Sequence, residues 1–99
     1  MFSEATTIDL SATGANIQGG KGEYNGLSID ATNGKFADNN SGWVQVNAGT
    51  VITLNVADGA QVSVSAYGSA DNFAISVEDG VCTITCNAND YLNAINISY

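Results

Sequence analysis

The sequence predicts an all-β domain, an antiparallel β-sandwich of jelly-roll type with about eight or nine strands. Three observations predict it. Apolar residues recur at every second position in short runs, the period that buries one face of a strand and wets the other. Clusters of Gly, Asn and Asp separate the runs and supply turn geometry. No stretch carries an apolar repeat of helical period over a useful length.

Taken in order, residues 5–11 read as a first strand with Ile8 and Leu10 on one face. Residues 13–18 hold a short second strand around Ile17. Gly19-Gly20-Lys21-Gly22 reads as a flexible turn, which Glu23-Tyr24-Asn25-Gly26 continues as an exposed loop. Leu27 and Ile29 alternate within residues 26–31, a third strand. Thr32-Asn33-Gly34-Lys35 is another turn, and Lys35 and Phe36 add a brief strand. Asp38-Asn39-Asn40-Ser41-Gly42 is then a polar loop that delivers the chain to Trp43.

Residues 42–68 form the stretch around which the rest is organised. Val44 and Val46 alternate with Gln45 and Asn47, and Ile52, Leu54 and Val56 with Thr53 and Asn55. Val62, Val64 and Ala66 alternate in turn with Ser63 and Ser65. Ala48-Gly49 and Asp58-Gly59 separate these runs, and Asp-Gly supplies the positive φ of a two-residue hairpin. The expectation is a three-stranded antiparallel meander with Trp43 and Tyr67 near its two ends. In strand register Trp43 shares the wet face of Gln45 and Asn47, and Tyr67 that of Gln61, Ser63 and Ser65.

After a loop over residues 68–72, Phe73, Ile75 and Val77 point inward from the next strand. Asp79-Gly80 is a hairpin turn leading to Cys82, Ile84 and Cys86. Residues 87–90 turn the chain into a last strand, 91–99, with Ile95, Ile97 and Tyr99 on one face. Leu92 falls out of that phase, which predicts a bulge or bend near Asn93. The last strand is expected beside the first, bringing both termini to one end, as suits a module within a longer protein. Phe36, Phe73 and Tyr99 read as core, and residues 1–99 as one module.

Composition narrows the function. The 99 residues include no Pro, His or Arg, two lysines and ten carboxylates, for a net charge of −8. Nucleic acid and anionic membranes both require basic side chains that two lysines do not supply. No apolar run approaches the roughly 20 residues of a transmembrane helix. The opening Met-Phe-Ser-Glu-Ala lacks the basic and apolar regions of a signal peptide, and Met1 suits the start codon of an excised module.

Cys82 and Cys86 lie four residues apart on one strand, roughly 13 Å. That exceeds the reach of about 7 Å for a disulfide, so they read as buried thiols on the face of Ile84. Without histidine or a CxxC pair there are too few ligands for zinc. The acidic loops leave a structural Ca2+ open on composition alone, although no EF-hand spacing is present. No cofactor is called for.

Catalysis finds no footing. A Ser-His-Asp or Cys-His arrangement needs histidine, and most carboxylates sit at turns (Asp38, Asp58, Asp71, Asp79, Asp90) and not as a pair across a cleft. Aromatic stacking is the stronger candidate. Sugar rings carry apolar C–H faces that stack on Trp and Tyr, and hydroxyls that need planar amide partners. The candidate ligand-binding residues are Trp43 and Tyr67 as platforms, with Gln45, Asn47 and Asn72 as hydrogen-bonding partners. Tyr24 and Tyr91 lie in or beside loops, and Lys35 is a cation able to meet a uronic carboxylate, though a solvated turn lysine is the better reading of it. Trp43 also suits a lid folded over a sheet edge.

The segment from Gly26 through Asp30-Ala31-Thr32-Asn33-Gly34-Lys35-Phe36, the Gln45-Val46-Asn47-Ala48-Gly49-Thr50 stretch and the final strand together resemble a known group. They are similar to small β-sandwich carbohydrate-binding modules appended to pectinases, xylanases and related plant cell-wall enzymes of anaerobic gut and rumen Firmicutes. The resemblance runs from about Ile17 to Tyr99 and rests on scaffold motifs. It implies a secreted, extracellular bacterial module, non-catalytic and monomeric within a larger multidomain enzyme, that targets a plant polysaccharide. Unpaired thiols fit an anaerobic setting. Where such modules often carry consecutive tyrosines, this chain has Tyr67 followed by Gly68-Ser69. With only two lysines, a neutral β-glycan such as xylan is the expected ligand in preference to a polyuronate. The rival expectation is a structural or protein-interaction β-sandwich of a bacterial cell-surface protein.

Overall fold

Consecutive strands of the central stretch alternate between two facing antiparallel sheets in the computed structural model, which describes residues 1–99. The first five strands are β1 (Thr6–Asp9), β2 (Asn16–Gln18), β3 (Lys21–Tyr24), β4 (Leu27–Asp30) and β5 (Lys35–Asp38). The central stretch holds β6 (Val44–Asn47), β7 (Val51–Asn55) and β8 (Gln61–Ala66). A 3-10 turn at Ala70–Asn72 leads to β9 (Phe73–Glu78), β10 (Val81–Cys86) and β11 (Asp90–Ser98). One sheet has six strands, β1-β11-β6-β5-β2 with β8 on the other side of β11; the second has five, β3-β4-β7-β10-β9. The architecture is the predicted β-sandwich, with eleven strands where about eight or nine were expected.

One strand the sequence did not show is β3. Lys21-Gly22-Glu23-Tyr24 shows no apolar alternation because it is an edge strand with exposed outward residues. A Cβ at Gly22 would stand 2.5 Å from Ile17 Cδ1, so a larger residue there would have to displace the end of the Ile17 side chain. Asn25 and Gly26, at φ 44° and 86°, turn β3 back onto β4. That is the positive-φ pair of a tight hairpin; of the expected turn and loop over residues 19–26, Lys21–Tyr24 is strand and only Asn25 and Gly26 form the turn that follows it.

The expected meander is overturned. β6 and β8 belong to the six-stranded sheet and β7 to the five-stranded one, so the chain crosses the core twice. Gly49 and Gly59 adopt φ of 98° and 87°. A hairpin and an arch between sheets both need such residues, and the local signal is the same for either. Inward side chains of β6 and β7 then meet across the core. The first arch is pinned by Thr50, fully buried, whose Oγ1 accepts the Lys35 N–H at 2.9 Å and donates to the Lys35 carbonyl at 3.1 Å.

β11 carries the six-stranded sheet. Residues 90–92 pair with β6 and residues 94–97 with β1, while β8 runs along its other edge. The register shifts between Leu92 and Ala94, the predicted bulge, at the point where the partner changes. β1 and β11 are neighbours, as expected. Asp79-Gly80 turns β9 into β10 as a hairpin, at φ 51° and 78°.

Nineteen apolar residues from both sheets form one buried cluster. Cys82 and Cys86 sit within it as free thiols. Burial pushes the Cys82 thiol up to about 11. Two expected core residues lie elsewhere. Val77 is 39% exposed because β9 is the edge strand of its sheet, while its register partner Cys82, one strand further in, is fully buried. Tyr99 is half-exposed and acts as a latch: its hydroxyl donates to the Phe2 carbonyl at 2.5 Å and accepts the Ala57 N–H at 3.1 Å.

Candidate functional site

Three neighbouring strands, β8, β11 and β6, bring three aromatic rings to one end of the outer face of the six-stranded sheet. Gln45 pairs with Tyr91 in register, and Trp43 shares the parity of Gln45. Tyr67 follows β8 and donates its N–H to the Tyr91 carbonyl at 2.9 Å. Alternation therefore points all three side chains away from the core.

The rings lean together above the sheet. Tyr67 stands 5.4 Å from Trp43 at 84° and 6.1 Å from Tyr91 at 80°, edge-to-face on both sides. Tyr67 is 71% exposed. With Asn39 and Ser41 the rings line an open notch of about 350 Å3. No carboxylate or amine lines it.

Two carboxylates build the loops around this notch. Asp38, at the end of β5, accepts the N–H of Gly14 at 2.9 Å and of Asn40 at 2.7 Å. Those two backbone bonds hold its carboxyl below the ordinary range. The turn continues through Asn40, at φ 62°, and Asn39 Oδ1 accepts from both the N–H and the hydroxyl of Ser41. Asp90, 5% exposed, does the same for the opposite wall. Its oxygens accept the N–H of Gly68 at 2.8 Å, of Ser69 at 3.0 Å and of Tyr91 at 2.7 Å, and the Asn72 amide at 2.9 Å. Burial works to raise its pKa, but these four bonds outweigh burial and keep it below the usual carboxylate value.

Of the residues singled out from sequence, Trp43, Tyr67 and Tyr91 come together. Asn72 does not line the notch; its amide donates to Asp90. Gln45 and Asn47 occupy the same outer face along β6 but bond to each other at 3.2 Å and do not line the notch. Lys35 pairs with Asn47 in register, a further strand away on β5. Tyr24 belongs to the other sheet, where its hydroxyl donates to the Asp9 carbonyl at 3.3 Å.

Asn39, Ser41 and Asp90 were missed as site residues. The first two lie within four residues of Trp43 in a loop read only as polar. Asp90 was read as a turn carboxylate, although it shares the inward parity of Leu92.

A larger depression, about 540 Å3, lies on the outer face of the five-stranded sheet around Lys21, Glu23, Ser28, Asp30, Val51 and Thr53. It contains no aromatic side chain, and its exposed Lys21–Asp30 pair, 4.0 Å apart, contributes little. The smaller notch has the richer chemistry. No group of three or more His, Cys, Asp or Glu side chains is arranged to hold a metal ion.

Compared with known proteins, the chain matches no protein-family model, no curated protein and no solved structure.

Proposed function

We propose that this chain is a non-catalytic carbohydrate-binding module that holds an appended extracellular enzyme on a plant cell-wall polysaccharide, a neutral β-glycan such as xylan. The observation that carries the reading is the convergence of Trp43, Tyr67 and Tyr91 beside the amide of Asn39 and the hydroxyl of Ser41. Exposed aromatic faces bind the C–H surface of a sugar ring, and a few fixed polar groups orient its hydroxyls. The resemblance of the scaffold motifs to cell-wall-targeting modules supports the same reading. A neutral ligand suits a notch without charged groups on a chain of net charge −8, which repels polyuronates.

Affinity electrophoresis against a panel of soluble plant polysaccharides tests this. The parent protein should be retarded by at least one neutral β-glycan. Trp43→Ala and Tyr67→Ala should each migrate as in a glycan-free gel. Equal retardation of the parent and both variants removes the site from consideration.

A further inference from the structure

We propose that the notch receives a single sugar ring, at a chain end or as a one-residue branch, and not a run of rings along a polysaccharide backbone. The inference rests on the carbohydrate reading above and specifies what that site recognises.

Ring geometry is the first argument. A platform for an extended chain needs open aromatic faces spaced along the chain, one ring apart from the next. Here Tyr67 is nearly perpendicular to both neighbours, at 84° and 80°, with centroids only 5.4 and 6.1 Å away. The three rings form the walls of one recess. A ring entering it stacks on one wall and meets the edge of another.

The second argument is that no other aromatic extends the site. The chain has one Trp, four Tyr and three Phe. Phe36 and Phe73 are buried, Phe2 packs on the core, and Tyr24 belongs to the other sheet. Tyr99 lies beyond the far end of β11, roughly 26 Å from Tyr91 at a strand's rise. Beyond the notch the outer face continues through Gln45 and Asn47, which bond to each other.

Polar capacity is the third. Asn39 Oδ1 is taken by Ser41, which leaves the Asn39 Nδ2–H groups as donors and the Ser41 oxygen as an acceptor. One donor and one acceptor side by side match two adjacent hydroxyls of one ring. The volume of about 350 Å3 is near the small end for ligand sites, which run from roughly 300 to 1,000 Å3.

Isothermal titration with xylose, linear xylo-oligosaccharides of two to six rings, and arabinose-branched xylo-oligosaccharides tests the proposal on the intact chain. Affinity per chain end should change less than about threefold from two rings to six, under 1 kcal/mol on the scale where tenfold is 1.4 kcal/mol. Binding to the linear series assigns the site to chain ends, and binding confined to the branched series assigns it to side residues; both support a single-ring site. Asn39→Ala should weaken either by about tenfold while leaving the Trp43 emission of the free protein unchanged. An affinity that climbs tenfold or more with each added pair of rings overturns the single-ring proposal and leaves the carbohydrate reading standing. Absence of heat and of any Trp43 fluorescence change with every sugar, including whole xylan, overturns both.

Discussion

Asp90 Oδ1 accepts the Gly68 N–H at 2.8 Å, so the strand that presents Tyr91 also holds the turn that follows Tyr67. Two walls of the notch thus depend on one carboxylate. Gly68 permits the approach, since a Cβ there would come within 2.9 Å of Asp90 Oδ2. Replacing Asp90 by Asn keeps the shape but points an NH2 at a backbone donor and removes the charge that strengthens the other bonds. Asp90→Asn should lose about 2–4 kcal/mol of stability in urea denaturation. It should also weaken glycan binding, although Asp90 does not line the notch. A loss under about 0.5 kcal/mol would show that the four bonds add nothing net.

The same carboxylate sets an acid response. Asp9, Asp30, Asp38 and Asp90 all have folded-state pKa values below the ordinary one. The stabilisation from such groups is complete above the unfolded value of about 3.9 and drains away as the pH falls through the lower folded values. The unfolded chain binds protons first. Thermal unfolding should therefore shift to lower temperature as the pH drops below about 4, and Asp90→Asn should flatten that dependence.

The buried thiols set the alkaline limit. Cys82 is raised by burial to about 11, and burial also raises Cys86. A raised thiol stabilises below the unfolded value of about 8.5, and that contribution is lost as the pH climbs toward the folded value. Stability should decline between about pH 8.5 and 11, and less steeply in Cys82→Ala relative to its own neutral value. Ellman's reagent at neutral pH should leave both thiols unlabelled in the folded protein and titrate both in denaturant. Prompt labelling of the native chain contradicts their placement in the core.

Gly49 tests the arch between sheets. Its φ is 98°, and a Cβ would press against the Asn33 carbonyl oxygen. Gly49→Ala should destabilise by about 2 kcal/mol or more, from the left-handed strain together with the clash. Gly59→Ala has comparable φ, at 87°, but open space around it, and should cost less. Urea titration of the two variants side by side separates sterics from backbone strain.

Much of this architecture was legible in a period of two. Val44, Val46, Ile52, Leu54, Cys82, Ile84 and Cys86 all went to the core face that alternation predicts. The phase break at Leu92 located the bulge. Sheet membership was not legible, because Gly49 and Gly59 have the same local requirement in a hairpin and in a crossing. Partners far along the chain decide between them. For the site, alternation placed Trp43 and Tyr67 on outer faces, and only the pairing of β8 with β11 and β11 with β6 brought them onto one. Asn39 and Ser41 join through loop geometry that no periodicity encodes. Tyr24 and Lys35 were drawn in by residue type alone, and the topology parts them from the trio.

The placement of β11 has a consequence for how the chain is made. It is the latest of the eleven strands to be synthesised, yet it is the shared partner of β1, β6 and β8. Sequence separations of that size make folding slow, because distant segments must meet before any of them gains stability. A growing chain lacking its final nine strand residues has no six-stranded sheet to close, and its apolar faces wait uncovered. Folding is thus deferred until β11 itself has been made, and a truncation that removes only β11 should leave an unstructured polypeptide where an edge-strand deletion would leave a weakened sandwich.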